Sequence, residues 1–156
     1  MMNESKIRTS AIGPLVLFVI LIGSTLGCGP ILLIPGGQLT GNPSALPSNW
    51  EFTKEINTIQ LESRPSEPYS VNIWVTSVQN NLYLHAGANR ANWIENIEAD
   101  PRVRIQILDQ VYELVATRVD DADEFSRFAD AYEEKYGSRP RNENVDEAYL
   151  MRLDPR

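Results

Sequence analysis

The sequence predicts a mainly β domain, a closed or partly closed antiparallel barrel of six short strands with two helices. Three observations point there. Short runs of alternating apolar and polar residues recur through the C-terminal two-thirds of the chain. Two pairs of these runs are joined by only a couple of turn-forming residues, as hairpins are. Two other segments change to helical spacing and carry capping residues at their ends. Six short strands laid flat would leave two open edges, and closing them into a barrel removes both.

The folded domain is expected to begin near Trp50. A first strand spans 56–61, and Arg64, Pro65, Ser66, Glu67 and Pro68 form a loop. The strongest strand covers 70–79, with Val71, Ile73 and Val75 on one face and Trp74, Thr76 and Val78 on the other. Apolar residues on both faces suggest a strand covered on both sides. Asn80 and Asn81 are expected to turn the chain, and 82–85 return as a third strand. Asn92 is expected to cap a short helix, with Glu95 completing a capping box and Trp93, Ile94 and Ile97 as its buried stripe. Asp100 and Pro101 end it. Val103, Ile105 and Ile107 then alternate with Arg102, Arg104 and Gln106. Asp109 and Gln110 are expected to turn the chain into a strand over 111–119, with Tyr112, Leu114 and Ala116 on one face. The second helix has Asp121 before it, Glu124 in its first turn, Lys135 in its last and Gly137 as its stop. Phe125, Phe128, Tyr132 and Tyr136 share one face of it. Residues 138–144 read as polar loop and 149–153 as the closing strand.

The N-terminus has a different character. Lys6 and Arg8 precede the uncharged run LVLFVILI at 15–22, which is followed by small residues up to Cys28. That is the layout of a secretory signal. Residues 15–27 fall short of the roughly 20 apolar residues of a membrane span. Thr25, Leu26, Gly27 and Cys28 resemble the lipobox of bacterial lipoproteins, although an aliphatic residue is usual where Thr25 stands. The resemblance implies cleavage after residue 27, acylation of Cys28, and an exported protein anchored in the cell envelope by lipid. The alternative is an accidental cysteine beside an ordinary cleavage site. Residues 28–49, rich in proline and glycine, read as a linker expected neither to form a helix nor to pair in a sheet, leaving 50–156 as the barrel domain.

The whole chain has 21 acidic and 14 basic residues. Without residues 1–27 it loses Glu4, Lys6 and Arg8, and the remaining 20 acidic and 12 basic residues give a net charge of −8. Nucleic acid and anionic surfaces should repel such a domain, so no nucleic-acid partner is expected. With one cysteine and one histidine there is no intrachain disulfide and no HExxH motif, no GxxxxGK[ST] P-loop motif occurs, and no metal site is expected.

The residues that could carry chemistry cluster around the third strand. His85 ends it, and reads either as a pocket residue or as a hydrogen-bonded histidine at the barrel rim. Arg90 lies between the loop containing Gly87 and the following helix start. It reads either as a phosphate-binding guanidinium or as a solvated surface charge. Trp74 and Trp93 could stack on a planar ring or simply fill the core. No acid–base pair or nucleophile motif accompanies them.

The segments IWVTSVQNNLYLHAG, RANWIENIEADPRVRIQI and VYELVATRVDD, the helix ending EEKYG and the closing YLMRLDPR resemble the split β-barrel flavin-binding superfamily. That superfamily includes pyridoxamine-phosphate-oxidase-like and deazaflavin-dependent nitroreductase-like proteins. The resemblance implies a six-stranded split barrel, usually a homodimer, with FMN or a deazaflavin (F420) at the dimer interface and oxidoreductase activity. It also implies that His85, Gly87, Arg90 and Trp93 help hold the cofactor, and Trp74 is the further residue that could pack against its ring. Deazaflavin-binding relatives often carry lysine where this chain has Ala86. The alternative is a non-catalytic binding or scaffold lipoprotein on the same barrel.

Overall fold

In a computed structural model, the structure describes residues 35–87 and 90–156. The signal segment, Cys28 and the apolar run 31–34 lie outside the described residues. Among the described residues, no helix is long and apolar enough to cross a membrane.

The elements in chain order are β1 (Asn42–Pro43), a 3₁₀ turn (Glu51–Glu55), β2 (Thr58–Ser63), β3 (Tyr69–Val78), β4 (Asn81–Ala86), α1 (Asn92–Ala99), β5 (Arg102–Ile107), β6 (Gln110–Arg118), α2 (Ala122–Tyr136) and β7 (Tyr149–Pro155). Strands β6, β5, β2, β3, β4 and β7 pair antiparallel in that order, and β7 pairs back to β6 to close the barrel. The predicted six-stranded antiparallel barrel with two helices is the observed fold.

Side chains on a strand alternate between faces, so the wall has two buried surfaces. Ile59, Leu61, Ile73, Val75, Leu82, Leu84, Val103, Ile105, Leu114, Met151 and Leu153 fill the barrel. α1 adds Trp93, Ile94 and Ile97 at one end, where Asn96 donates to Ser63 Oγ at 3.1 Å. Trp50 joins the same cluster and meets Tyr112 edge-on at 5.2 Å. Outside the wall, Phe125, Phe128 and Ala129 of α2 pack on Tyr83 and Leu150. Glu124 of α2 accepts from Tyr83 Oη at 2.9 Å and pairs with Arg152. The ends of α2 are as predicted. Asp121 accepts from the Glu124 amide at 2.6 Å, and Gly137 takes a left-handed φ of +77°, a conformation costly for residues with a Cβ.

Three local expectations shift. Val78 pairs with Asn81, so the first hairpin turns on Gln79 and Asn80, with Gln79 at φ +53°. Ile107 pairs with Gln110, so the second turns on Leu108 and Asp109, with Leu108 at φ +57° and 77% exposed. Burial of Val75, Leu82, Leu84, Ile105 and Tyr112 fixes the strand register, and the register overrides the turn preference of asparagine. The third shift is in α1, whose N-cap is Ala91, with no side-chain cap bond, so Asn92 is already helical. Burial of Trp93 and Ile94 sets the helix phase here.

The stretch expected as linker also pairs. Gly36 and Ser70 exchange two backbone hydrogen bonds, of 2.8 and 2.9 Å. β1 runs parallel to β6 at Gln110 and Val111, where β7 has run out. Between these points Leu39 is only 2% exposed, its amide donating to Glu62 and its carbonyl accepting from Arg104. Glu62, on the outer face of β2, is buried to 3% beneath this strap and ion-paired to Arg104 at 3.1 Å. Gly41 passes so close to Val111 and the Asp109 carbonyl that a Cβ there would stand 2.7 Å from the former and 2.8 Å from the latter. A proline- and glycine-rich segment can dock this way because its polar groups find partners on the barrel.

Candidate functional site

The outer face of β3 and β4, under α2, holds a cavity of about 190 Å³ lined by Asn72, Ile73, Trp74, Thr76, Tyr83, His85, Phe128 and Tyr132. Asn72, Trp74 and Thr76 point outward from β3, while Tyr83 and His85 do so from β4. Helical spacing brings Phe128 and Tyr132 over them.

His85 sits in an aromatic box. Its ring centroid is 5.5 Å from that of Phe128, 6.1 Å from Tyr132 and 6.3 Å from Phe125. Nε2 is buried without a hydrogen-bond partner, and burial lowers the imidazole pKa below its ordinary value. The ring is therefore neutral near pH 7, with an unused polar atom against an apolar surround. A buried polar atom of that kind costs about 1–3 kcal/mol, so a ligand that reached it would recover part of this.

Trp74 is 54% exposed. It is not the core residue that one sequence reading made it. One indole face stacks on Tyr136 at 4.7 Å and 14°, and Tyr132 lies 6.3 Å away. Tyr136 is fixed in turn. Its hydroxyl donates its one proton to the Val75 carbonyl at 2.7 Å, with the Asn57 carbonyl 3.0 Å away, and burial pushes its pKa up to about 12. Next to it, Lys135 Nζ donates to the carbonyls of Thr53, Ile56 and Val75 at 2.7–2.9 Å. Burial lowers its pKa, and the nearby Glu55 carboxylate acts weakly the other way. Sequence reasoning placed this lysine at the C-terminal end of the helix dipole. It spends its three donors instead on the 3₁₀ turn and β3. A second cavity, of about 390 Å³, adjoins this clamp and shares Thr76 with the first.

The five predicted cofactor residues therefore divide. His85 and Trp74 line one cavity. Trp93 is buried in the barrel core, across the wall from them, the core role that the sequence left open. Arg90 is on the surface, paired with Glu98 and, at 3.6 Å, with Glu95 of α1. Such exposed pairs are worth about 0–1 kcal/mol, so Arg90 can change partners cheaply. Gly87 lies outside the left-handed region, and a methyl there would meet nothing within 4 Å; neither backbone nor space demands glycine. Tyr132, Tyr136 and Lys135 were read from helical spacing as a packed face and a capping charge. Their part in the site depends on which strand α2 covers, and no local pattern encodes that.

As a fit test for a flavin-type group, the cavity offers flat aromatic walls, the exposed face of Trp74 and an unpaired imidazole nitrogen, all suited to a planar heteroaromatic ring. At about 190 Å³ it is smaller than the roughly 300 Å³ at which ligand pockets usually begin. Neither Gly87 nor Arg90 lines it.

Comparison with known proteins agrees with this architecture. The profile of the family described as F420H(2)-dependent quinone reductase matches residues 75–150. No curated protein matches the chain. Among solved structures, a conserved hypothetical protein of Mycobacterium tuberculosis is 20% identical with a TM-score of 0.53, over 68% of this chain and 77% of that one. The heme storage protein HutZ of Vibrio cholerae is 20% identical with a TM-score of 0.52, over 68% and 86%. A candidate pyridoxamine 5′-phosphate oxidase of Listeria innocua is 14% identical with a TM-score of 0.52, over 65% and 86%. At these identities the structures establish the fold. The chain is a split β-barrel of the architecture these proteins share, and its segment 75–150 is similar to the F420H(2)-dependent quinone reductases.

Proposed function

We propose that this protein is a membrane-tethered split-barrel oxidoreductase that binds a flavin or deazaflavin nucleotide and works as a homodimer. The observation that carries the reading is the cavity lined by both His85 and the half-exposed Trp74, most of whose lining falls within or beside the segment that matches the reductase family. The bound group supplies the hydride chemistry. The residues of the chain would hold it: Trp74 and Tyr132 would supply aromatic contact, His85 a neutral hydrogen-bonding nitrogen, and Arg90 would exchange Glu95 and Glu98 for the phosphate. The tether rests on the lipobox-like ending at Cys28. The homodimer rests on the superfamily likeness and on a structural neighbour described as a domain-swapped dimer, 14% identical with a TM-score of 0.52.

The test is absorbance and titration. Full-length protein in detergent is expected to bind FMN or the deazaflavin saturably, with a shifted visible band. Arg90→Ala should weaken binding of the phosphate-bearing cofactor by about 1–3 kcal/mol, the range of a charge-assisted hydrogen bond. Absence of any saturable binding would remove the oxidoreductase reading. A second reading, a non-catalytic binding lipoprotein, is favoured by the small cavity and by the carboxylates already holding Arg90. It predicts binding of small aromatic compounds and no nucleotide.

A further inference from the structure

The strap and β7 share one edge of β6. β1 pairs with that edge at Gln110 and Val111, and β7 pairs with it from Leu114 onward. Between these points the strap must leave the edge to clear the end of β7. A cavity of about 440 Å³ opens there, more than twice the size of the Trp74–His85 cavity and within the usual range of small-molecule pockets. Pro43, Leu46 and Val111 give it apolar lining, and Arg104, Glu113 and Arg156 give it charge.

Strand register sets these charges. Arg104 stands opposite Glu62 of β2 and Glu113 of β6, and Arg156, just past the end of β7, pairs with Glu113. Acid and base therefore alternate across the outer face of the wall. Glu62 is shut beneath the strap and does not line the cavity, whereas its partner Arg104 does. The cavity is thus faced by two guanidinium groups and one side-chain carboxylate. That is a locally basic spot on a chain whose net charge is −7.

Both guanidinium groups have donors to spare. Arg104 meets Glu62 through Nη1 alone, and its Nη2 bond to the Leu39 carbonyl is long, at 3.4 Å. Arg156 uses only Nη1, on a Glu113 side chain that is 60% exposed, and such a pair is cheap to exchange. Each guanidinium carries five N–H groups in a planar fork that matches a carboxylate. Arg104 is mostly buried, so a bond made to it is shielded from water. Leu46, 39% exposed, offers apolar area for a ligand to cover. Pro43, Leu46, Arg104 and Arg156 are not among the residues on which the cofactor reading rests, and the strap and Arg156 fall outside the segment 75–150 that matches the reductase family.

We infer that this cavity binds a small carboxylate amphiphile, its head between Arg104 and Arg156 and its short apolar tail against Pro43 and Leu46. Such a ligand bridges the strap to the barrel wall and so favours the docked strap. The inference rests on neither the tether nor the cofactor.

Calorimetric titration of the full-length protein in detergent, corrected with a detergent blank, tests this with octanoate as the probe. Acetate is the control without a tail, and octylamine the control of opposite charge. Octanoate is expected to bind saturably and at least tenfold more tightly than either. Arg156→Gln removes a head contact and Leu46→Ser a tail contact, both at partly exposed positions, and urea midpoints check that both variants stay folded. Each should weaken octanoate at least fivefold. No saturable binding of octanoate, equal affinity for acetate or octylamine, or wild-type affinity in either variant would overturn the inference.

Discussion

Burying one imidazole nitrogen without a partner makes His85 a source of pH-dependent stability. Its pKa is lowered in the folded protein relative to about 6.5 in the unfolded chain. The unfolded state therefore binds the proton first. The contribution is complete above pH 6.5 and is lost as pH falls from there toward the folded value. Urea midpoints at pH 7.5 and pH 5 should differ in wild type, and the difference should shrink in His85→Leu. Equal differences in both proteins would rule the histidine out as its source. Acid loss at still lower pH belongs to carboxylates such as Asp100, which Arg102 holds at about 2. Trp74 shows how a residue's role can escape the sequence. Its type and alternation were legible, but its neighbour Tyr136 lies 62 positions away, and only the packing of α2 turns an apparent core residue into half of an exposed stack.

Among the elements, α2 was read most completely. Its limits, its cap at Asp121 and its stop at Gly137 all follow from local chemistry, because capping and left-handed glycine act within one turn. What α2 does for the site comes from its last turn. Lys135→Met should remove three hydrogen bonds, while the Thr53 and Val75 carbonyls keep the Ile56 amide and Tyr136 hydroxyl as donors, costing about 2–3 kcal/mol in urea unfolding. It should also weaken the near-ultraviolet dichroism of the Trp74–Tyr136 stack. Tyr136→Phe keeps the stack and removes the hydroxyl's hydrogen bond, so a smaller loss of about 1–2 kcal/mol is expected. A greater loss in Tyr136→Phe than in Lys135→Met would overturn this order. The hairpins were found by their alternation, but each turn lies one residue earlier than its asparagine or aspartate suggested. Strand register is a property of two facing strands, and turn propensity yields to it.

For the whole molecule, the strap decides how the barrel is completed. Leu39→Ala should cost about 2–5 kcal/mol, as for other buried leucines. Glu62→Leu leaves the mostly buried Arg104 without its partner and should cost about 3–5 kcal/mol. Both are read from denaturant midpoints, and values near zero would mean that the strap detaches freely in solution. By itself the sequence determined the six strands, the two helices and the barrel closure. Alternation, capping and edge avoidance are local or nearly local rules. Only the tertiary structure decided that a proline- and glycine-rich segment docks on the barrel, that Trp74 is open while Trp93 is closed off, and that Lys135 and Tyr136 brace the site. Each of these depends on contacts between residues far apart in the chain, set by which face of the barrel wall each element covers, and a one-dimensional pattern holds no record of that choice.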